Sequence, residues 1–147
     1  MAINKVGVLG CGLMGSGIAQ VSAAAGFQVV VLEAEQKFLD KGFAGIEKSL
    51  AKFAEKGKLK EAPEAIRGRL KGSVKKEDLA DCDLIIEAVF EQMDVKKDIF
   101  TRLDQTVKQG AILASNTSYL NIDEIAAVTS RPQDVVGLHF FSPANVM

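Results

Sequence analysis

Residues 6–17 read Val-Gly-Val-Leu-Gly-Cys-Gly-Leu-Met-Gly-Ser-Gly. A short apolar strand runs directly into Gly-x-Gly-x-x-Gly, and a helical pattern follows. Each of the three motif glycines has a mechanical reason. Gly10 permits the tight turn off the strand. Gly12 carries no Cβ, so a ligand can approach the backbone. Gly15 lets the helix pack close to the strand. The first N–H groups of such a helix have no partner within it and carry the positive end of its dipole, which suits a pyrophosphate.

A second apolar run adds weight to the motif. Gln28-Val-Val-Val-Leu ends at Glu33, 18 residues beyond Gly15. A carboxylate at that point can accept hydrogen bonds from the hydroxyls of an adenosine ribose.

The remaining chain alternates strand and helix signals. Lys5–Leu9 and Gln28–Leu32 read as strands, with a helix over Gly15–Ala25 between them and Gly26 at its end. Gln36–Lys56 reads as a long helix, since Phe38, Leu39, Phe43, Ile46, Leu50 and Phe53 recur at helical spacing, and Gly57 ends it. Pro63–Leu70 reads as a shorter helix with proline in its first turn, and Leu70–Val74 as a short strand. Then come a buried strand at Asp83–Val89, an amphipathic helix at Gln92–Val107 and a strand at Ala111–Ala114. A short helix at Ile122–Thr129 and a last strand at Asp134–His139 complete the pass. Alternation with nearly continuous apolar strands predicts an α/β fold, a parallel sheet covered on both faces. Gly10, Glu33, Glu91, Asn116, Ser118 and His139 all fall at or just past predicted strand C-termini, where such sheets bind ligands.

At 147 residues the chain fits one domain, and 48% apolar residues suffice for a core. A net charge of −1 offers no electrostatic footprint for nucleic acid or an anionic membrane. No apolar run is long enough to span a bilayer, and the strand, turn and helix account for the apolar N-terminus better than a signal peptide does. The two cysteines, Cys11 in the glycine turn and Cys82 before a strand, do not form a disulfide framework, so a reducing, cytoplasmic location is expected. No metal site is expected.

The stretch 36–70 is longer than an ordinary crossover and carries Lys37, Lys41, Lys48, Lys52, Lys56, Lys58 and Lys60. Two readings stand. One is a solvated face balanced by Glu47, Glu55 and Glu61. The other is a helical hairpin that projects from the sheet and meets a phosphate-bearing substrate.

Three segments together resemble the 3-hydroxyacyl-CoA dehydrogenases: the glycine turn with Leu13 and Met14, Ala114-Ser-Asn116-Thr-Ser118, and Gly137-Leu-His139-Phe-Phe-Ser-Pro. The likeness covers the chain in order, and the second and third segments are more specific than the glycines. It implies a Rossmann-type, doubly wound, mostly parallel sheet with a helical-hairpin insertion at about 36–70. It also implies oxidation of (3S)-3-hydroxyacyl-CoA by NAD to 3-oxoacyl-CoA, in fatty-acid β-oxidation or butanoate metabolism.

By the same resemblance His139 is the catalytic histidine. Ser118 contacts both the substrate oxygen and the nicotinamide end. Gly10, Gly12, Leu13, Met14, Gly15, Glu33, Ala88, Val89, Glu91, Lys96, Asn116 and Ser142 are implied cofactor contacts. Ser142 stands where many members carry asparagine, and Glu33 where aspartate is usual. Ser49 and Lys56 are implied coenzyme A contacts. Ala34 and Glu35 offer no cation for a 2′-phosphate, which favours NAD over NADP. In the family, a glutamate that pairs with the histidine lies a few residues past the position of Met147. So does a helical second domain with an asparagine that contacts substrate, the rest of the acyl pocket and the homodimer interface. The chain is then either a fragment or an isolated nucleotide-binding domain, expected to associate or to be marginally stable alone. Sugar-acid dehydrogenases share the glycine opening but rely on a lysine, and the His-Phe-Phe segment speaks against them.

The residues suit the chemistry. Alcohol oxidation needs a base for the hydroxyl proton, and imidazole titrates near neutrality. A serine hydroxyl can orient the oxygen and stabilise partial alkoxide character. The structural alternatives are equally concrete. Ser118 could cap the following helix with Asn116 and Thr117 as turn residues. Glu91 could favour the N-terminus of the helix at 92–107. Phe140 and Phe141 read as core or wall residues.

Overall fold

The computed structural model describes all 147 residues. Six strands form one parallel sheet: β1 (Lys5–Leu9), β2 (Gln28–Leu32), β3 (Leu70–Ser73), β4 (Leu84–Glu87), β5 (Ile112–Ser115) and β6 (Val135–Gly137). Their spatial order is β3-β2-β1-β4-β5-β6. The chain winds outward from β1 through β2 to β3, then crosses back to β4 beside β1. The order therefore reverses between β1 and β4, which opens a crevice at their C-terminal ends.

Side-chain alternation sorts the apolar strands into two cores. Val6, Val8, Val29, Val31, Ile86 and Ala114 face one side, under α1 (Leu13–Ala24), α2 (Gln36–Glu55) and α3 (Pro63–Arg67). Leu9, Val30, Ile85 and Leu113 face the other, under α4 (Met93–Thr106) and α5 (Ile122–Ala126). A strand buried on both faces has no polar side to show, which is why these runs read as continuous Val, Ile and Leu.

Several boundaries differ from the sequence reading. Helix α1 begins at Leu13 rather than Gly15, because Gly12 is already its extended N-cap. Gly26, in a left-handed conformation (φ +102°), follows its C-cap as expected. Asp83 lies just before β4 rather than in it, and its carboxylate accepts the N–H groups of Asn4 and Lys5 at 2.8 and 2.9 Å. His139 lies two residues past β6 rather than within it. The insertion is an unequal hairpin. A 20-residue α2 is followed by a five-residue α3, which ends at Arg67 rather than Leu70. Its apolar stripe, Leu39, Phe43, Ile46 and Leu50, is buried with Ile18 and Ile66 in one core, so the hairpin packs along α1 rather than projecting from the sheet.

Candidate functional site

The glycine turn sits at the β1–β4 crevice. Gly10 has φ +93°, and a Cβ there would meet the Ala88 carbonyl oxygen at 2.7 Å. A Cβ on Gly15 would collide with the Gly10 carbonyl oxygen. Gly12 is different: a Cβ there meets nothing within 4 Å. Folding requires glycine at 10 and 15. At 12 the open space faces outward, which leaves the backbone approachable by a ligand. The first turn of α1 carries no acidic side chain, so its N-terminal dipole is uncompensated by the protein.

Glu33 lies one residue past β2 and lines a cleft of about 560 Å³ together with Gly10, Leu32, Val74, Val89 and Ile99. Its Oε1 accepts only the N–H of its neighbour Ala34, at 3.1 Å. A second cleft of about 300 Å³, lined by Gly12, Leu13, Ser16 and Lys41, shares Glu33. An apolar slot beside a carboxylate, continuous with an open glycine turn, has the dimensions and chemistry for an adenosine diphosphate moiety. Val74, Ile99 and the exposed Lys75 and Lys76 of this cleft carry no sequence signal, because they come from loops and a helix remote along the chain.

At the other end of the crevice, Ser118 Oγ and His139 Nε2 lie 3.1 Å apart. Ser118 follows β5 by three residues and His139 follows β6 by two, so the parallel pairing of these strands sets them side by side. Asn116 reinforces this. Its Oδ1 accepts the Phe140 N–H at 2.8 Å, which ties the segment after His139 to the end of β5. Phe141 is 64% exposed and sets its ring edge-on to His139, with centroids 5.3 Å apart. It is a wall of the site rather than a core residue; Phe140 packs partly buried against the core.

Ser118 does not cap α5. Asn121 does so, its Oδ1 accepting the Asp123 N–H at 2.8 Å. Glu91 immediately precedes Gln92, the N-cap of α4, where its charge suits the helix dipole, and it is also bonded across the site. Its Oε2 accepts from Thr117 Oγ1 at 2.8 Å and from the Ser118 N–H at 3.2 Å, and its Oε1 lies 3.1 Å from Lys96 Nζ. Burial pushes the Glu91 carboxyl up, but the bonds from Thr117, Lys96 and the Ser118 N–H outweigh it and hold it below its ordinary value. Lys96 is buried, its ammonium lodged between Glu91 and Glu87 beneath the floor of the site.

Leu13 is exposed at the start of α1, Met14 partly buried behind it, and Ala88 and Val89 flank Gly10. Ser142 is exposed three residues past His139. Ser49 is half-buried, and its Oγ accepts from Asn145 Nδ2 at 2.9 Å; Lys56 is exposed at the C-cap of α2. Neither bonds to the Ser118–His139 pair. Burial, helped by the charge of Glu33, pushes the Cys11 thiol up to about 11, and burial does the same to Cys82. Both cysteines are free.

A parallel sheet with this strand order, a glycine turn at its reversal and a serine–histidine pair at its C-terminal edge defines a dinucleotide-binding domain of the dehydrogenase class. Sequence comparison makes it specific. The family profile described as "3-hydroxyacyl-CoA dehydrogenase, NAD binding domain" matches residues 5–147, and the chain belongs to that family. It is 50% identical over 143 residues to a probable 3-hydroxybutyryl-CoA dehydrogenase of Deinococcus radiodurans, covering 97% of this chain and 51% of the relative. Among solved structures it is similar to FadB2 of M. tuberculosis, with TM-score 0.96, 46% identity and coverage of 100% of this chain and 52% of that one. It is also similar to 3-hydroxybutyryl-CoA dehydrogenase of Escherichia coli K12, with TM-score 0.97, 38% identity and coverage of 100% and 31%. The chain thus spans about half the length or less of these relatives. Its cofactor is NAD, as in the family's NAD-binding domain. No helix is long and apolar enough to cross a membrane.

Proposed function

We propose that residues 1–147 are the cofactor domain of an NAD-dependent dehydrogenase acting on (3S)-3-hydroxyacyl-CoA, of which 3-hydroxybutyryl-CoA is the simplest case. The observation that carries this reading is the 3.1 Å approach of Ser118 Oγ to His139 Nε2 at the mouth of the nucleotide crevice. The open Gly12 backbone and the N-terminus of α1 hold the pyrophosphate, Glu33 the adenosine ribose, and the loops bearing Glu91, Asn116 and Ser142 the nicotinamide end. When bound, the nicotinamide supplies the two-electron acceptor. The protein's own share is acid–base and positional. His139 takes the proton of the substrate hydroxyl through Nε2 and returns it in the reverse direction. Ser118 Oγ, within reach of the same nitrogen, orients the substrate oxygen and stabilises its partial negative charge. Ser49 and Lys56, with the lysine face of α2, receive the coenzyme A portion.

The exposed apolar side chains Phe90, Tyr119 and Phe141 follow the C-terminal ends of β4, β5 and β6 and provide the surface that an acyl chain and further polypeptide cover. We place the acyl pocket's remainder and a homodimer contact on such further polypeptide, and the protein in the reducing cytoplasm, where its free thiols persist. Neither nucleic acid nor membrane is a partner in this reading. A second reading rests on a specific observation. His139 has Ser118 as its hydrogen-bonding side chain and no carboxylate on its ring within these residues. These 147 residues alone are then an NAD-binding module with incomplete catalysis. One assay tests both readings: NADH consumption with acetoacetyl-CoA by this chain and by the longest natural chain that contains it. Turnover by the longer chain with NADH binding by both supports the proposal. Binding without turnover in either leaves the module.

A further inference from the structure

Beneath the Ser118–His139 pair lies a set of buried charges that the proton transfer itself does not use. Glu87, the last residue of β4, is 0% exposed. Its Oε1 accepts from Ser115 Oγ at 2.6 Å, and its Oε2 from Lys96 Nζ at 2.6 Å and the Val89 N–H at 2.7 Å. Lys96 is 1% exposed and reaches on to Glu91. Glu91 in turn holds the Thr117 hydroxyl and the Ser118 N–H. The chain of bonds starts under the floor and ends on the backbone of the serine that faces His139. It joins β4, α4, β5 and the loop after β5, and no buried polar side-chain atom is left without a partner.

Such a network is a costly way to fill space. Two ions must be taken out of water, and an apolar pair of similar volume is often neutral or better for stability. What hydrogen-bonded charges provide is fixed direction: each link here has a set donor and acceptor. We propose that Glu87 is a positioning residue, acting through Lys96, Glu91 and Thr117 to hold the Ser118 hydroxyl against His139. This rests on the proposed dehydrogenase function, in which that pair meets the substrate oxygen. Glu87 and Thr117 are both buried and act only through their neighbours.

The test has two arms, so that failure of the positioning role and failure of the dehydrogenase reading are separable. The chain contains one histidine, so its ring signals in NMR belong to His139 without ambiguity. In these 147 residues, Glu87→Gln and Thr117→Val shift the His139 ring signals, and Thr117→Ser, which keeps the hydroxyl, leaves them in place. In the longest natural chain, Glu87→Gln and Thr117→Val lower kcat by about ten- to a hundredfold with KM for acetoacetyl-CoA nearly unchanged, as slight misplacement of a reacting group does. The double variant is no worse than the poorer single one, because both cut the same chain of bonds. If Glu87→Gln does not fold, the comparison of Thr117→Val with Thr117→Ser decides. Unmoved His139 signals in Thr117→Val, or additive losses in the double variant, overturn the positioning role whatever the wild-type activity. A wild-type chain without turnover overturns the dehydrogenase reading, while the NMR arm still judges the linkage.

Discussion

Two glycines two residues apart do opposite jobs. Gly10 is left-handed and pressed against Ala88, so any side chain there strains the fold. Gly12 borders open space, so a side chain there costs the fold little and obstructs the ligand. Gly10→Ala is therefore expected to lower stability by about 1–3 kcal/mol, given the left-handed backbone and the carbonyl contact. Gly12→Val is expected to cost no more than about 1 kcal/mol, since valine is a poorer N-cap than glycine but meets no neighbour, yet to abolish measurable NADH binding. Urea unfolding and fluorescence titration of NADH check the two halves. The buried thiols give a second prediction at this scale. With Cys11 and Cys82 both pushed up to about 11, neither forms appreciable thiolate at pH near 8, so iodoacetamide labels them only after denaturation.

At the scale of elements, much is readable from the sequence and some is not. The strands of the central sheet are legible because burial on both faces leaves no polar residue to obscure the apolar run. The placement of Ser118 beside His139 is legible only through resemblance, since their approach depends on β5 pairing with β6. Two features give no signal. Gly42 of α2 looks like a helix weakness, but a Cβ there would collide with Cys11, so it sets how closely α2 crosses the glycine turn. Arg131, between α5 and β6, looks like a surface residue, yet it is 1% exposed. It binds Asp104 Oδ1 at 2.8 Å and donates to the carbonyls of Asp104, Val107 and Lys108 that end α4. A lone arginine beside a proline carries no pattern that distinguishes such a cap from a solvated side chain. Arg131→Met leaves those carbonyls without this donor and Asp104 with only Ser130 as partner, and is expected to destabilise the domain by about 3–5 kcal/mol, read as a lowered urea midpoint.

For the whole molecule, charge ties the sheet together at both ends and gives stability a defined pH dependence. Glu61, Asp78, Asp81, Asp83, Glu91 and Asp104 are all held below their ordinary values. For Asp83 the cause is Lys108, whose ammonium lies 2.6 Å away, followed by the Asn4 and Lys5 N–H groups. A carboxyl with a depressed folded value binds its proton more readily in the unfolded chain. Its contribution is full above the unfolded value and is lost as pH falls toward the folded one. The melting temperature should therefore hold nearly level from neutral pH to about pH 5 and fall steeply below about pH 4, where unfolded carboxylates protonate. Asp83→Asn should be less stable than wild type at neutral pH, with the gap closing as acid is added. Calorimetry of both across that range reads the sign directly. A gap that widens in acid contradicts the assignment.

The proposed function converges on one point: the nucleotide crevice would deliver its cofactor to the Ser118–His139 pair. The most direct measurement replaces His139 by Asn in the longest natural chain containing this domain. Acetoacetyl-CoA reduction and NADH binding are then measured side by side with wild type. Removal of a positioned acid–base group should lower turnover by about 10²–10⁴-fold, while NADH affinity stays within a few-fold of wild type, since Gly12 and Glu33 lie at the far end of the crevice. Turnover close to wild type in the His139→Asn enzyme would contradict the role assigned to the pair.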